Sequence, residues 1–161
     1  GHMVEMTGPH GDCTISRHSR TFTRAGEARK TFDRLIFLVA GSGVTPCIQI
    51  LQDWVAQGHR CSSIHIDVIY ANRTENEIAF QSELSELAKM FPNVSLCLAV
   101  SQPSDTWQGH HGRLDVKILK QHFDRAKPET TEVLVCGPAA FNETMRLHLV
   151  HSIGFHEAIY L

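Results

Sequence analysis

One short run of residues has the composition of a phosphate-binding turn: Gly41-Ser42-Gly43-Val44-Thr45-Pro46. It follows an apolar segment and precedes a segment with helical spacing. Glycine lets a backbone approach a ligand closely, and a helix N-terminus offers N–H groups and the positive end of a dipole. The usual dinucleotide fingerprint has a third glycine where this chain has Pro46, and proline fits the first turn of a helix. The turn therefore predicts a pyrophosphate site, but not of the common Rossmann type.

A second glycine-proline turn, Cys136-Gly137-Pro138, ends another apolar run. In an open parallel sheet, ligands bind beyond the carboxyl ends of the strands, where the strand order reverses. If the strands that precede the two turns are neighbours at that point, both turns face one crevice. Either turn alone is more simply interpreted as the end of a strand, whereas the two together favour a shared ligand site.

The segment after the second apolar run carries Asn72, Arg73 and Glu77. In doubly wound sheets this position commonly meets the adenosine ribose. Arg73 could accept a ribose 2′-phosphate or stack on adenine, whereas Glu77 would repel that phosphate and favour NADH. The same segment also fits a helix start, with Thr74 as N-cap and Glu77 closing a capping box. Both interpretations can hold together, so the cofactor preference is left open by these residues.

The elements that must position these turns alternate between short apolar runs and segments of helical spacing. The predicted strands are residues 35–40, 64–71, 94–100, 132–136 and 157–161. The predicted helices are residues 47–57, 75–90 (in one or two pieces), 114–123 and 139–152. Such alternation indicates right-handed βαβ crossovers. The sequence thus predicts an α/β fold, a doubly wound five-stranded parallel sheet flanked by helices, with strand order 3-2-1-4-5.

Two segments do not fit this alternation. Residues 4–30 are polar and then become extended, which is typical of the end of a preceding element followed by a linker. The loop at residues 101–113 is long for a compact domain, so it is either functional or a surface excursion anchored by Trp107. Residues 1–3, Gly-His-Met, are typical of a cloning scar and are left out of the fold.

Composition narrows the class of protein. The chain has 161 residues and a formal net charge of −2, without the basic block of a nucleic-acid-binding protein. Its five cysteines are scattered along the sequence, which is typical of a protein whose cysteines are reduced and not paired in disulfides. Its eleven histidines lack a metal-binding spacing, so no metal ligands are assigned. No signal peptide or spanning segment is recognised, and we expect a cytoplasmic location.

The ordered set of turns resembles the nicotinamide-binding half of the ferredoxin–NADP reductase superfamily. The segments that carry the resemblance are residues 41–46, the Tyr-Ala-Asn-Arg-Thr-Glu run at 70–75, and residues 136–138. The most similar branch is that of cytochrome b5 reductase and nitrate reductase. The Gly-Pro-His-Gly run at 8–11 is similar to the segment that closes that family's flavin barrel. The loop at 107–112 is similar to that of proteins fusing cytochrome b5 to its reductase.

The resemblance implies that this domain brings NADH, with NADPH as an alternative, to FAD bound on a separate β-barrel domain. Hydride would pass from nicotinamide C4 to flavin N5, and electrons would continue to a cytochrome b5-type haem or another metal centre. The turn at 41–46 would hold the pyrophosphate and nicotinamide ribose. Asn72, Arg73 and Glu77 would face the adenosine. Cys136, Gly137 and Pro138 would line the nicotinamide pocket, with Cys136 nearest the transferred hydrogen.

The same resemblance makes residues 4–30 the end of the flavin barrel with its linker, and residues 31–161 the NAD(P)H-binding domain. The full-length protein is expected to be a flavoenzyme that could be membrane-associated, and the fragment alone to be inactive because it lacks a hydride acceptor. Many family members end in an aromatic residue that lies over the flavin. Whether Tyr160 takes that place in this chain is left open by the resemblance. A bulky residue at Gly43 is expected to abolish nucleotide binding and leave the fold intact.

Two other classes of function stay open at this point. One is a non-catalytic, flavodoxin-like binding or interaction module, which would have no affinity for NADH or NADPH. The other is a thiol-dependent enzyme that uses Cys136 or Cys47. Cys47 falls in the first turn of a predicted helix, where a thiol pKa can be lowered, but no histidine partner can be assigned. A buried, unreactive thiol is the simpler interpretation of Cys47.

Overall fold

The chain divides into two units, one ending at Thr31 and one running from Phe32 to Leu161. The computed structural model describes residues 13–16, 21–24, 27–56 and 64–161. The run at 8–11 and Cys61 lie outside the described residues. Within the described part of the chain, no helix is both long and apolar enough to cross a membrane.

The first unit contains a three-stranded antiparallel sheet in the order β1-β2-β3. Its strands are β1 (Cys13–Ser16), β2 (Thr21–Arg24) and β3 (Glu27–Thr31). The register between β2 and β3 shifts between Thr21 and Thr23. The third strand occupies residues where the sequence indicated a linker.

The second unit is built on a six-stranded sheet in which every neighbouring pair is parallel. Its strands are β4 (Arg34–Ala40), β5 (His65–Asn72), β6 (Val94–Val100), β7 (His110–His111), β8 (Thr131–Cys136) and β9 (Ile159–Tyr160). The order is β7-β6-β5-β4-β8-β9. The five predicted strands correspond to β4, β5, β6, β8 and β9, and their predicted order 3-2-1-4-5 is confirmed. The sixth strand, β7, was not predicted, because its two residues carry no strand pattern.

The helices connect these strands as the alternation predicted. They are α1 (Val44–Ala56), α2 (Gln81–Met90), α3 (Val116–Phe123) and α4 (Ala139–His148), and α4 continues into a π-helical turn at Leu149–Ile153. The predicted helix over 75–90 is in two pieces, a 3-10 turn at Glu75–Glu77 and α2. They are separated at Phe80, whose φ of +57° is left-handed and unusual for a bulky side chain. The predicted capping box is wrong, because the side chain of Thr74 makes no cap hydrogen bond.

Apolar side chains of the strands and helices pack together to form the core of the second unit. Ile36 and Leu38 of β4 pack in a buried cluster with Leu119 of α3 and Met145 of α4. Helix α1 buries Leu51 and Trp54 among others outside that cluster. Because successive strand residues point to opposite faces, this division places helices on both sides of the sheet.

A polar network ties the amino ends of three strands together. The guanidinium of Arg34 on β4 donates to the carboxylate of Asp67 on β5 at 2.8 Å and to the His122 carbonyl at 3.0 Å. The Ser95 hydroxyl on β6 donates to the other Asp67 oxygen. Burial is the main cause that lowers the pKa of His122. The network lies at the amino edge of the sheet, where the parallel strands begin, and the glycine turns lie at the opposite end of the strands.

Substitution of Asp67→Ala is expected to lower the free energy of unfolding by about 3 kcal/mol, because it leaves a largely buried guanidinium without its partner. Urea denaturation measures the change. The control is Asp105→Ala, which removes an exposed carboxylate and should change stability by less than about 0.5 kcal/mol. Equal effects of the two substitutions would show that the ion pair does not stabilise the fold.

Candidate functional site

The two glycine turns are in backbone contact at the carboxyl edge of the sheet, by which we mean the end of the sheet where the parallel strands finish. Strands β4 and β8 are parallel neighbours, with Val39 opposite Cys136. A Cβ added to Gly43 would lie 2.1 Å from the Cys136 carbonyl oxygen and 2.9 Å from the Gly137 nitrogen. The predicted proximity of the two strands is therefore confirmed, and only a glycine at 43 allows so close an approach.

The turn after β4 combines a left-handed residue with a helix start. Gly41 has φ +54° and begins the 3-10 turn Gly41–Gly43, after which α1 begins at Val44. Pro46 lies in the first turn of α1, where its missing N–H is not needed. The Thr45 hydroxyl donates to the Ser42 carbonyl at 2.7 Å, and both residues are exposed.

A cleft of about 470 Å³ opens at the same edge, within the usual range for small-molecule sites. Its walls come from the ends of β4 and β5, the start of α4 and the loop before α3. Five of the predicted residues line it: Gly41, Asn72, Arg73, Glu77 and Pro138. The others are not among the cleft-lining residues and lie along the two turns: Ser42, Gly43, Val44, Thr45, Pro46, Cys136 and Gly137.

The cleft has further lining residues that were not predicted. Arg113 comes from the long loop, and Phe141 and Thr144 come from α4. A Cβ on Gly137 would lie 2.7 Å from the Phe141 ring, so that glycine makes room for the aromatic wall. The length of the loop allowed a functional role for the loop as a whole without singling out Arg113, and nothing in the local pattern of α4 distinguished Phe141 from a core residue.

The amide of Asn72 is the most unusual polar group of the cleft. Its Oδ1 and Nδ2 atoms are both buried, and neither has a hydrogen-bond partner among the described residues. Its backbone carbonyl, by contrast, accepts from the Ser101 N–H at 3.0 Å. Buried polar side chains are normally hydrogen-bonded, so this amide has an unmet donor and an unmet acceptor beside a cleft. Such a group fits a polar ligand.

The long loop is pinned to the segment that follows β5. The Glu75 carboxylate accepts from the backbone N–H and the hydroxyl of Ser104, both at 2.7 Å, and these bonds lower the pKa of Glu75. The Arg73 Nε donates to the Gln102 side chain at 3.2 Å. The Trp107 indole donates to the His110 carbonyl at 3.1 Å. The loop is thus both anchored by Trp107 and part of the cleft.

The thiols near the site have the environment of unreactive cysteines. Cys47 is fully buried, and burial raises its pKa far above the usual value. Burial also raises the pKa of Cys136, which is half-buried at the end of β8. Both thiols therefore stay protonated near neutral pH, which argues against a thiolate nucleophile at either position. Within the described part of the chain, no group of three metal-ligating side chains is positioned to hold a metal ion.

Residues 37–146 match the family model described as the oxidoreductase NAD-binding domain. The chain belongs to this family. A nitrate reductase [NADPH] of Beauveria bassiana is 34% identical, over 93% of this chain and 17% of the relative. A plasma membrane-associated coenzyme Q6 reductase of Saccharomyces cerevisiae is 35% identical, over 96% of this chain and 45% of the relative. This oxidoreductase NAD-binding domain and its flanking residues thus span less than half of each of these relatives.

The fold of the domain is also found in solved structures. The cytochrome b5 reductase domain of Ulva prolifera nitrate reductase matches with a TM-score of 0.83 and 24% identity, over 96% of this chain and 58% of that one. The resemblance to the cytochrome b5 reductase and nitrate reductase branch, predicted from three short segments, is confirmed.

The contact at Gly43 corrects the expectation that a larger residue there would leave the fold intact. Gly43→Ala would force the two turns apart and is expected to cost about 3 kcal/mol of unfolding free energy. Gly41→Ala meets open space and adds only the strain of a left-handed alanine, about 1 kcal/mol. Urea denaturation of this matched pair measures both costs. Equal losses would contradict the backbone contact as the constraint on the turns.

Proposed function

We propose that residues 32–161 bind NADH in the cleft and deliver its hydride to FAD carried by a separate domain of the full-length protein. The observation that carries the binding part is the buried amide of Asn72, which has no partner among the described residues and lines the cleft. A bound dinucleotide offers hydroxyl and amide groups that both donate and accept, and these suit the two unmet atoms. Family membership supports the identity of that ligand.

The residues of the two turns have distinct parts in this proposal. The backbone at Gly41, Ser42 and Gly43 and the first turn of α1, with Val44, Thr45 and Pro46, hold the pyrophosphate and nicotinamide ribose. Asn72, Arg73 and Glu77 face the adenosine, and Gly137 and Pro138 line the nicotinamide pocket. Bound nicotinamide supplies the hydride, and the protein supplies orientation and a site from which water is excluded.

Cys136 acts in this scheme through its shape and polarity. Its backbone touches Gly43, and its half-buried thiol is protonated at neutral pH because burial raises its pKa. A neutral thiol is a small, weakly polar wall for a nicotinamide ring. It takes no proton and forms no covalent bond in the proposed transfer, since hydride transfer needs neither.

The charged residues of the cleft bear on the choice between NADH and NADPH. Glu77 and Arg73 are both exposed and both line the cleft. The Glu77 carboxylate would repel a ribose 2′-phosphate, whereas Arg73, whose Nε donates to the uncharged Gln102 amide, keeps its charge and would attract it. These charges oppose each other, so NADH is the proposed ligand and NADPH stays the alternative.

The full-length protein is proposed to be a cytochrome b5 reductase-like or nitrate reductase-like flavoenzyme. One relative is named a nitrate reductase and another a coenzyme Q6 reductase, so related NAD-binding domains occur in proteins named for different electron acceptors. In our proposal the electron acceptor is a cytochrome b5-type haem or another metal centre. Parts of the full-length protein outside residues 32–161 determine which acceptor is used. We place the protein in the cytoplasm, where the full-length protein could be membrane-associated.

The substitution Asn72→Leu separates ligand binding from stability. It replaces a buried, unpaired amide with an apolar group of similar size, so the free energy of unfolding should stay equal or rise. The dissociation constant for NADH, measured by titration calorimetry, should increase about tenfold or more because the ligand loses its bonds to the amide.

The matched control is Gln121→Leu, which removes an exposed amide on α3 and should change neither quantity. Unchanged NADH affinity in Asn72→Leu would show that the amide does not contact the ligand. Absence of NADH binding by the unsubstituted chain would reject the proposed function and favour the non-catalytic module.

A further inference from the structure

A buried tyrosine joins the turn that the proposed function assigns to the pyrophosphate and the segment that it assigns to the adenosine. Tyr70 lies near the carboxyl end of β5 and is 0% exposed. Its hydroxyl donates to the Gly41 carbonyl at 3.0 Å and accepts from the Ala79 N–H at 3.2 Å. The hydroxyl is thus satisfied by two backbone groups, 29 residues before it and 9 residues after it.

The bond to Gly41 fixes the direction of a peptide plane in the pyrophosphate turn. The Gly41 carbonyl also accepts from the Val44 N–H, so two donors hold it. In a trans peptide the carbonyl and the next N–H point in opposite directions. Because the Gly41 oxygen points at the buried hydroxyl of Tyr70, the Ser42 N–H points away from that hydroxyl. Ser42 itself is exposed.

The bond to Ala79 holds the chain directly before a strained residue. Ala79 follows the turn that carries Glu77 and precedes Phe80, whose φ is +57°. A left-handed conformation of a bulky residue is retained only where its surroundings enforce it. One hydroxyl therefore fixes the backbone of the turn at 41–43 relative to the segment at 75–80.

We propose that Tyr70 is a positioning residue for nucleotide binding, an inference that rests on the proposed function. Its hydroxyl holds the Gly41 carbonyl inward so that the Ser42 N–H is presented to the pyrophosphate. The same hydroxyl sets the spacing between that turn and the segment that faces the adenosine. Tyr70 does not touch the ligand in this account, and it acts through the backbone that it holds.

The test is Tyr70→Phe, which keeps the buried ring and removes only the hydroxyl. The dissociation constants for NADH and for ADP-ribose, which shares the pyrophosphate, should both rise about three- to tenfold. The amide resonance of Ser42 should move in the ligand-free protein, because the peptide plane is released. Ser95→Ala is the control, since it removes a hydroxyl bond to Asp67 at the other edge of the sheet.

Ser95→Ala should lower the thermal midpoint without changing either dissociation constant. Unchanged affinity in Tyr70→Phe would overturn the inference and leave the proposed function standing. An equal loss of affinity in both variants would also overturn it, because general destabilisation would then explain the effect. Failure of the unsubstituted chain to bind either ligand would reject the proposed function and this inference together.

Discussion

The close approach of Gly43 to the Cys136–Gly137 backbone is the constraint on which the candidate site depends. No side chain fits at position 43, so the turn after β4 and the turn after β8 pack directly against each other. This contact is possible because β4 and β8 are parallel neighbours whose register ends at Val39 and Cys136. It brings the starts of α1 and α4, with their N–H groups, to one edge of the sheet.

Buried polar side chains at the two ends of the strands differ in their hydrogen bonding. At the amino edge, Arg34 and Asp67 satisfy each other and bind α3 to the strands, which stabilises the fold. At the carboxyl edge, the amide of Asn72 is buried without a partner among the described residues. An unpaired buried amide costs stability, and such exceptions to local satisfaction are expected where a protein binds its ligand. The contrast is the physical basis for placing function at the carboxyl edge.

Sequence patterns predicted the elements that repeat and missed the contacts between distant residues. The apolar runs located five of the six strands of the second unit, and the two glycine-proline turns indicated that the strands before them, β4 and β8, are neighbours. The role of Tyr70 could not be predicted, because its partner Gly41 lies 29 residues away and tyrosine is an ordinary strand residue. The capping box at Thr74 is absent, since the Thr74 side chain makes no cap hydrogen bond. The bond from Ser104 to the neighbouring Glu75 could not be predicted either, because it comes from a loop without a recognisable pattern. The individual site residues remain predictions.

The most direct test of the account is an amide chemical-shift map of the chain during titration with NADH. If NADH binds in the cleft, saturable changes are expected only at the two turns and the cleft, at Gly41–Gly43, Asn72, Arg113 and Gly137. No oxidation of NADH is expected in the absence of a flavoprotein. Saturable changes centred elsewhere, for example on the exposed surface of α3 at Lys117 and Gln121, would contradict the assigned site. No saturable change at all would contradict the central claim that this domain binds the dinucleotide.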